Sequence, residues 1–266
     1  LNFIEKFLLI KCFKKIDAWV LLGNSMKTQV DNVYRDLQIQ DQSSCYHNGE
    51  LISHELRGFY PVESDNYFDR PSIDAKIENF GDNITIGYMS NLMEEKGIVE
   101  FIESMIFLKE RLGYDINAWI AGAFIGQSTD RLSHAMSLAK TKNYITILGL
   151  AGGERKWNGL LETDIFILPS YYKTEALPLS LVEAMRFGCL CISSSIGEIN
   201  DLLGNDRGII IDTISTNNIV LKVEGVLADT SRSKAMIKNS LSYASDEFSY
   251  QAYKIKLLTL VESFIK

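Results

Sequence analysis

The stretch SYYKTEALPLSLVEAMRFGCLCISSSIGEINDLL, residues 170–203, decides the fold. It follows DIFILP (164–169), a continuously apolar run that reads as a fully buried strand. Glu175 then stands in a loop. Residues 178–187 read as a helix, with Pro178 suited to its first turn and Gly188 to its C-terminal stop. CLCISSS (189–195) reads as the next strand. Strand, loop with one carboxylate, helix with a second at Glu183, and strand again is the layout of an open α/β sheet. Such sheets bind ligands at the carboxyl ends of their strands.

The same alternation runs outward in both directions. Upstream, ITIGYMS (84–90), INAWIAG (116–122) and YITILGL (144–150) read as strands. Helices are expected over 97–112, 129–141 and 154–164. The first is carried by Ile98, Phe101, Ile102, Met105 and Leu108 at helical spacing. Downstream come a short helix (198–203), the strand GIIID (208–212) and a mainly helical stretch, 215–266. Continuously apolar strands alternating with helices predict a Rossmann-like parallel sheet with helices on both faces. Nearer the start, 16–22 reads as a strand, 25–38 as a helix, and 43–47 as a strand before an Asn48-Gly49 turn. Residues 49–80 show no sustained period and read as a linker between domains.

The 266 residues are 46% apolar and 23% charged, an ordinary globular balance, and the net charge of −7 argues against nucleic acid as the main partner. Cys12, Cys45, Cys189 and Cys191 form no C-x-x-C pair, so neither a zinc site nor a redox motif is indicated, and free thiols fit a reducing compartment. No apolar run approaches the roughly 18 residues that suggest a membrane span. His47, His54 and His134 lie in no catalytic pattern, and no D-x-D pair offers a metal clamp.

Residues 84–212 resemble the donor-binding domain of the family four retaining glycosyltransferases, which have the two-Rossmann GT-B fold. The resemblance rests on SNLMEEKG (90–97), AWIAGAF (118–124), ITILGL (145–150), DIFILPS (164–170), the E-x7-E signature EALPLSLVEAM (175–185), IGEIND (196–201) and RGIIID (207–212). FSYQAYKIKLLTLVESFIK (248–266) is similar to the C-terminal helix that crosses back toward the first domain, and HNG (47–49) to that domain's end. The implied division is 1–48 as a remnant of the N-terminal acceptor-side domain, 49–82 as linker, 83–247 as donor-binding domain and 248–266 as crossover helix. The chain begins with Leu1, and the resemblance implies the donor half of a larger enzyme, inactive by itself.

The resemblance also assigns roles. Glu183 would accept hydrogen bonds from the ribose hydroxyls of a nucleotide-diphosphate sugar, UDP- or GDP-linked; in isolation it reads more readily as a solvated helix glutamate, and the surrounding signature reverses that reading. Glu175 would face the transferred sugar near its anomeric carbon. The amides of Ala176, Leu177 and Leu179, near a helix start, suit the diphosphate. Lys96 would stabilise the charge of the leaving group. Many family members carry an arginine a few residues before this lysine; here the positions are Ser90 and Asn91, and Asn91 would donate a neutral hydrogen bond instead. Gly122, Ala123 and Leu150 would flank the base.

The expected activity is sugar transfer, without a metal, to a saccharide or lipid-linked acceptor in cell-surface polysaccharide synthesis. The implied location is cytoplasmic, with attachment at the inner face of the membrane open through the N-terminal domain. Two alternatives stand beside it: an epimerase or phosphorylase of the same fold, and a nucleotide-sugar-binding module without catalysis.

Overall fold

The computed structural model describes residues 10–58, 62–81, 83–126 and 128–265. The chain divides into two units, Leu1–Phe59 with Gln251–Lys266, and Tyr60–Tyr250.

In the first unit, β1 (Trp19–Leu21) leads into α1 (Asn24–Leu37). β2 (Tyr46–His47) and β3 (Glu50–Leu51) form a two-residue hairpin turned by Asn48 and Gly49, both at positive φ, as the Asn-Gly pair leads one to expect. β4 (Ser53–Glu55) then pairs in parallel with β1, Trp19 opposite Ser53. Tyr34, Ile39, Cys45 and Leu51 form a small core, within which Tyr34 donates to the carbonyl of Phe13 at 2.9 Å.

The second unit begins with α2 (Arg70–Glu78), which carries Pro71 in its first turn and buries Ile73 and Ile77. Residues 49–80 are therefore no structureless linker: two strands belong to the first unit and a helix to the second. The helix escaped detection because its buried face is only two isoleucines four apart.

From there the expected alternation appears. The elements are β5 (Ile84–Met89), α3 (Ile98–Ile106), β6 (Ile116–Ala121), α4 (Asp130–Lys140), β7 (Ile145–Gly149), α5 (Glu154–Leu161) and β8 (Ile165–Leu168). They continue with α6 (Leu179–Arg186), β9 (Leu190–Ser194), α7 (Ile199–Leu203) and β10 (Ile209–Ile211). The six strands form one parallel sheet in the order β10-β9-β8-β5-β6-β7. Its centre is dry: Ile165, Phe166, Ile167 and Leu168 are fully buried. Each such side chain contributes about 1.5–3 kcal/mol relative to exposure.

The helix expected over 97–112 changes character after Ile106 into a π-helical turn, Phe107–Arg111. The helical stretch after 215 is three helices, α8 (Thr216–Ala228), α9 (Thr230–Glu247) and α10 (Tyr250–Ile265). Ser215 and Asp229 cap the first two by accepting from the amides of Asn218 and Arg232.

Candidate functional site

The sheet's strand order reverses between β5 and β8, the switch point at which open α/β sheets leave a crevice. The loop after β5 carries Lys96 and the loop after β8 carries Glu175. Lys96 Nζ lies 2.6 Å from Glu175 Oε2, and the Ser170 hydroxyl donates to the same oxygen at 2.9 Å. The ammonium also sits 4.7 Å from the centroid of the Tyr172 ring. Both charged side chains are about nine-tenths buried, at 11% and 9% exposure.

Backbone packing holds these loops. Tyr171 donates its N–H to the Glu95 carbonyl at 2.8 Å, and Tyr88 donates its hydroxyl to the Lys96 carbonyl at 3.2 Å. Gly97 has φ +73°, and a β-carbon there would lie 2.1 Å from the Pro169 carbonyl oxygen, so only glycine fits. The loop after β9 closes from the other side. A β-carbon on Gly197 would lie 2.3 Å from the Glu175 carbonyl oxygen, and the Glu198 amide donates to the Ala176 carbonyl at 2.8 Å. Three successive loops therefore fix the Glu175 backbone.

Glu183 stands one turn into α6 and is only 6% exposed, so it is not a solvated helix glutamate. Its Oε1 accepts from Lys156 Nζ of α5 at 2.9 Å. Burial raises the Glu183 pKa above the usual carboxylate value, and Lys156 opposes the rise. Sequence reasoning missed Lys156, for ERKW offers nothing beyond an ordinary lysine on a helix. Ser170, also missed, carried a signal: a hydroxyl directly after a buried strand, at its carboxyl end.

Pro178 is the N-cap of α6, with extended backbone and no side-chain cap bond, and the helix proper starts at Leu179. Ala176 and Leu177 therefore precede the helix; their amides belong to the loop rather than to its first turn. The uncapped helix end leaves donors for an anion. Gly122, at φ +151°, donates to the Gly149 carbonyl at 2.8 Å, and a β-carbon there would collide with the Ser90 carbonyl oxygen at 1.8 Å. That packing alone demands glycine. Leu150 is 81% exposed in the neighbouring loop, and Asn91 is exposed with no side-chain hydrogen bond among the described residues. His134 lies exposed on α4, and His47 and His54 belong to the first unit.

The arrangement offers two buried carboxylates, each held by a lysine, beside an uncapped helix end. It suits hydroxyl groups and a phosphate in one ligand. No helix among the described residues is long and apolar enough to cross a membrane.

Residues 69–242 match the family model described as glycosyl transferases group 1. The capsular polysaccharide biosynthesis glycosyltransferase CapM of Staphylococcus aureus is 22% identical over 186 residues, which are 70% of this chain and 47% of CapM. Two solved structures share the fold. Sucrose-phosphate synthase of Thermosynechococcus elongatus superimposes with a TM-score of 0.72 at 15% identity, covering 99% of this chain and 62% of that one. Anabaena HepE, solved in complex with UDP and glucose, gives 0.71 at 14% identity, covering 99% and 68%. The chain thus spans about half the length of the curated relative it matches and about two thirds of these structures.

Proposed function

We propose, since this chain belongs to the family of group 1 glycosyl transferases, that its second unit binds a nucleotide-diphosphate sugar. The protein would transfer that sugar, with retention of anomeric configuration, to a saccharide or lipid-linked acceptor. One observation carries the reading: Lys96 and Glu175 meet at 2.6 Å at the sheet's switch point, beside the uncapped start of the helix that bears Glu183.

In this reading Glu183 accepts the ribose hydroxyls, each charge-assisted bond contributing about 1.5–3 kcal/mol. The diphosphate lies against the start of α6 and Lys96, which offset the negative charge that grows as the sugar leaves. Glu175 faces the sugar and orients it. In this reading the Lys96 ammonium, paired with Glu175, would lie beside both the sugar and the leaving group. The complex of HepE with UDP and glucose supports a uridine donor. The similarity to CapM supports a role in surface-polysaccharide synthesis.

A second reading keeps donor binding and omits transfer. It is favoured by Asn91, exposed and uncharged where many family members carry an arginine.

Calorimetric titration of the chain and its Glu183→Ala variant with UDP, GDP and ADP tests the site. Binding of one nucleotide, weakened about tenfold or more by the substitution, is expected, because a loss of about 1.4 kcal/mol gives that factor. Undiminished binding by the variant would remove Glu183 from the site. Incubation with the matching sugar nucleotide and product analysis then separates transfer from binding alone.

A further inference from the structure

Lys156 is the charged group that the reading above leaves without a role. Its ammonium lies 2.9 Å from Glu183 Oε1 and 3.8 Å from the centroid of the adjacent Trp157 ring. Trp157 in turn stacks on Phe187 at the end of α6, with centroids 5.5 Å apart and planes 13° from parallel. The stack joins α5 to α6, and the lysine lies between an indole face and a carboxylate, its side chain 16% exposed. An ammonium held on two sides in this way has little freedom to leave.

Among the described residues, the surroundings of Glu183 supply no other cation. β8 and β9, beneath α6, bring apolar side chains, serines and the Cys191 thiol, which burial keeps protonated. α9 also packs on α6 and carries Arg232, Lys234 and Lys238, but Arg232 pairs with Asp206 and the two lysines reach Glu78. Arg186, on the same helix, turns to Asp65 and the Phe68 ring. Among the described residues, Lys156 alone offsets the burial of this carboxylate.

We propose that Lys156 is the positioning residue for Glu183: it fixes the charge and orientation of the carboxylate by occupying Oε1, leaving Oε2 to receive a ligand's hydroxyl pair. The proposal rests on the ribose role of Glu183. Without the lysine, the buried carboxylate takes up a proton nearer neutrality. A protonated carboxyl donates from one oxygen and no longer accepts as an anion from two hydroxyls. The lysine acts through the glutamate, so its removal should matter most where Glu183 would be protonated.

The test follows the Glu183 carboxyl carbon by NMR in 13C-glutamate-labelled protein, assigned with Glu183→Gln, and measures UDP binding across pH. Lys156→Met should move the Glu183 titration upward by about one unit or more and weaken UDP about tenfold at about pH 6, with recovery at about pH 8. Lys156→Arg should restore both. A variant whose Glu183 titration and UDP affinity at about pH 6 stay within about twofold of wild type overturns the proposal. Comparison of UDP with 2′-deoxy-UDP on the wild-type protein tests the parent reading separately. Absent or equal binding of the two overturns the ribose role, and the positioning role with it, whereas preference for UDP with an unchanged Lys156→Met profile overturns the positioning role alone.

Discussion

Lys96 and Glu175, 79 residues apart in the chain, form a buried ion pair at 2.6 Å across the two central loops of the parallel sheet. A charged pair in that position loses much of its hydration, and replacing it by apolar groups is often neutral or stabilising. Its retention fits a functional demand. Lys96→Met should therefore weaken UDP by about tenfold to a hundredfold, the loss of about 1.5–3 kcal/mol from one charge-assisted contact. Uridine, which lacks the phosphates, should bind unchanged. Calorimetry with both ligands decides: equal losses for both would make Lys96 a support of the fold rather than a phosphate contact.

Gly97 and Gly113 have nearly the same backbone, φ +73° and +75°, but differ in what surrounds them. A methyl at 97 meets the Pro169 carbonyl; at 113 it meets nothing within 4 Å. Gly113→Ala should cost about 1 kcal/mol, the penalty of left-handed backbone alone. Gly97→Ala should cost about 3 kcal/mol or more, because two loops must also separate. Urea unfolding of the two variants measures the difference, and similar midpoints would show that the loop after β8 yields easily.

Lys76 of α2 works at the opposite end of the site's helices. Its ammonium donates to the carbonyls of Thr163 and Phe187 at 2.7 Å each, and of Leu160 at 3.3 Å. These lie at the C-terminal ends of α5 and α6, where carbonyls lack helical partners and the dipole favours a cation. Lys76→Met should destabilise the unit by about 2–4 kcal/mol. Unfolding curves check the magnitude, and a loss below about 0.5 kcal/mol would mean that water replaces the ammonium.

This contrast marks what the sequence could tell. β8 and α6 were legible because a short apolar run closed by Pro169 reads as a covered strand, and Gly188, with φ +68°, ends the helix where a β-carbon would strike Ile73. Glu175 and Glu183 were legible from their place between such elements. Lys76 and Lys156 were not. Their partners lie 27 to 111 positions away, and tertiary packing alone selects them from the chain's surface lysines. Likewise Pro178 reads as an early helical residue, but its extended backbone makes it the cap and moves the helix start to Leu179. The loop after β9 was legible only as the resemblance of IGEIND (196–201), and packing alone shows Gly197 against two carbonyls.

The Lys156–Glu183 pair permits a thermodynamic test of whether it serves stability. Burial holds the folded pKa of Glu183 above its unfolded value, and the lysine counteracts this. A group with a raised acid pKa binds more protons folded than unfolded, so stability falls as pH rises through the raised value and returns on acidification. Lys156→Met removes the counteracting charge. The variant should lose about 3 kcal/mol above neutral pH, where a buried carboxylate has no partner, and recover most of it at about pH 5. The double variant Lys156→Met/Glu183→Met should show no such pH dependence and lie within about 1 kcal/mol of wild type or above it. Urea unfolding of all three proteins at both pH values is the measurement. A double variant as unstable as the single one would mean that the pair itself holds α5 against α6. Recovery in the double variant would leave ligand recognition as the reason the charges are there.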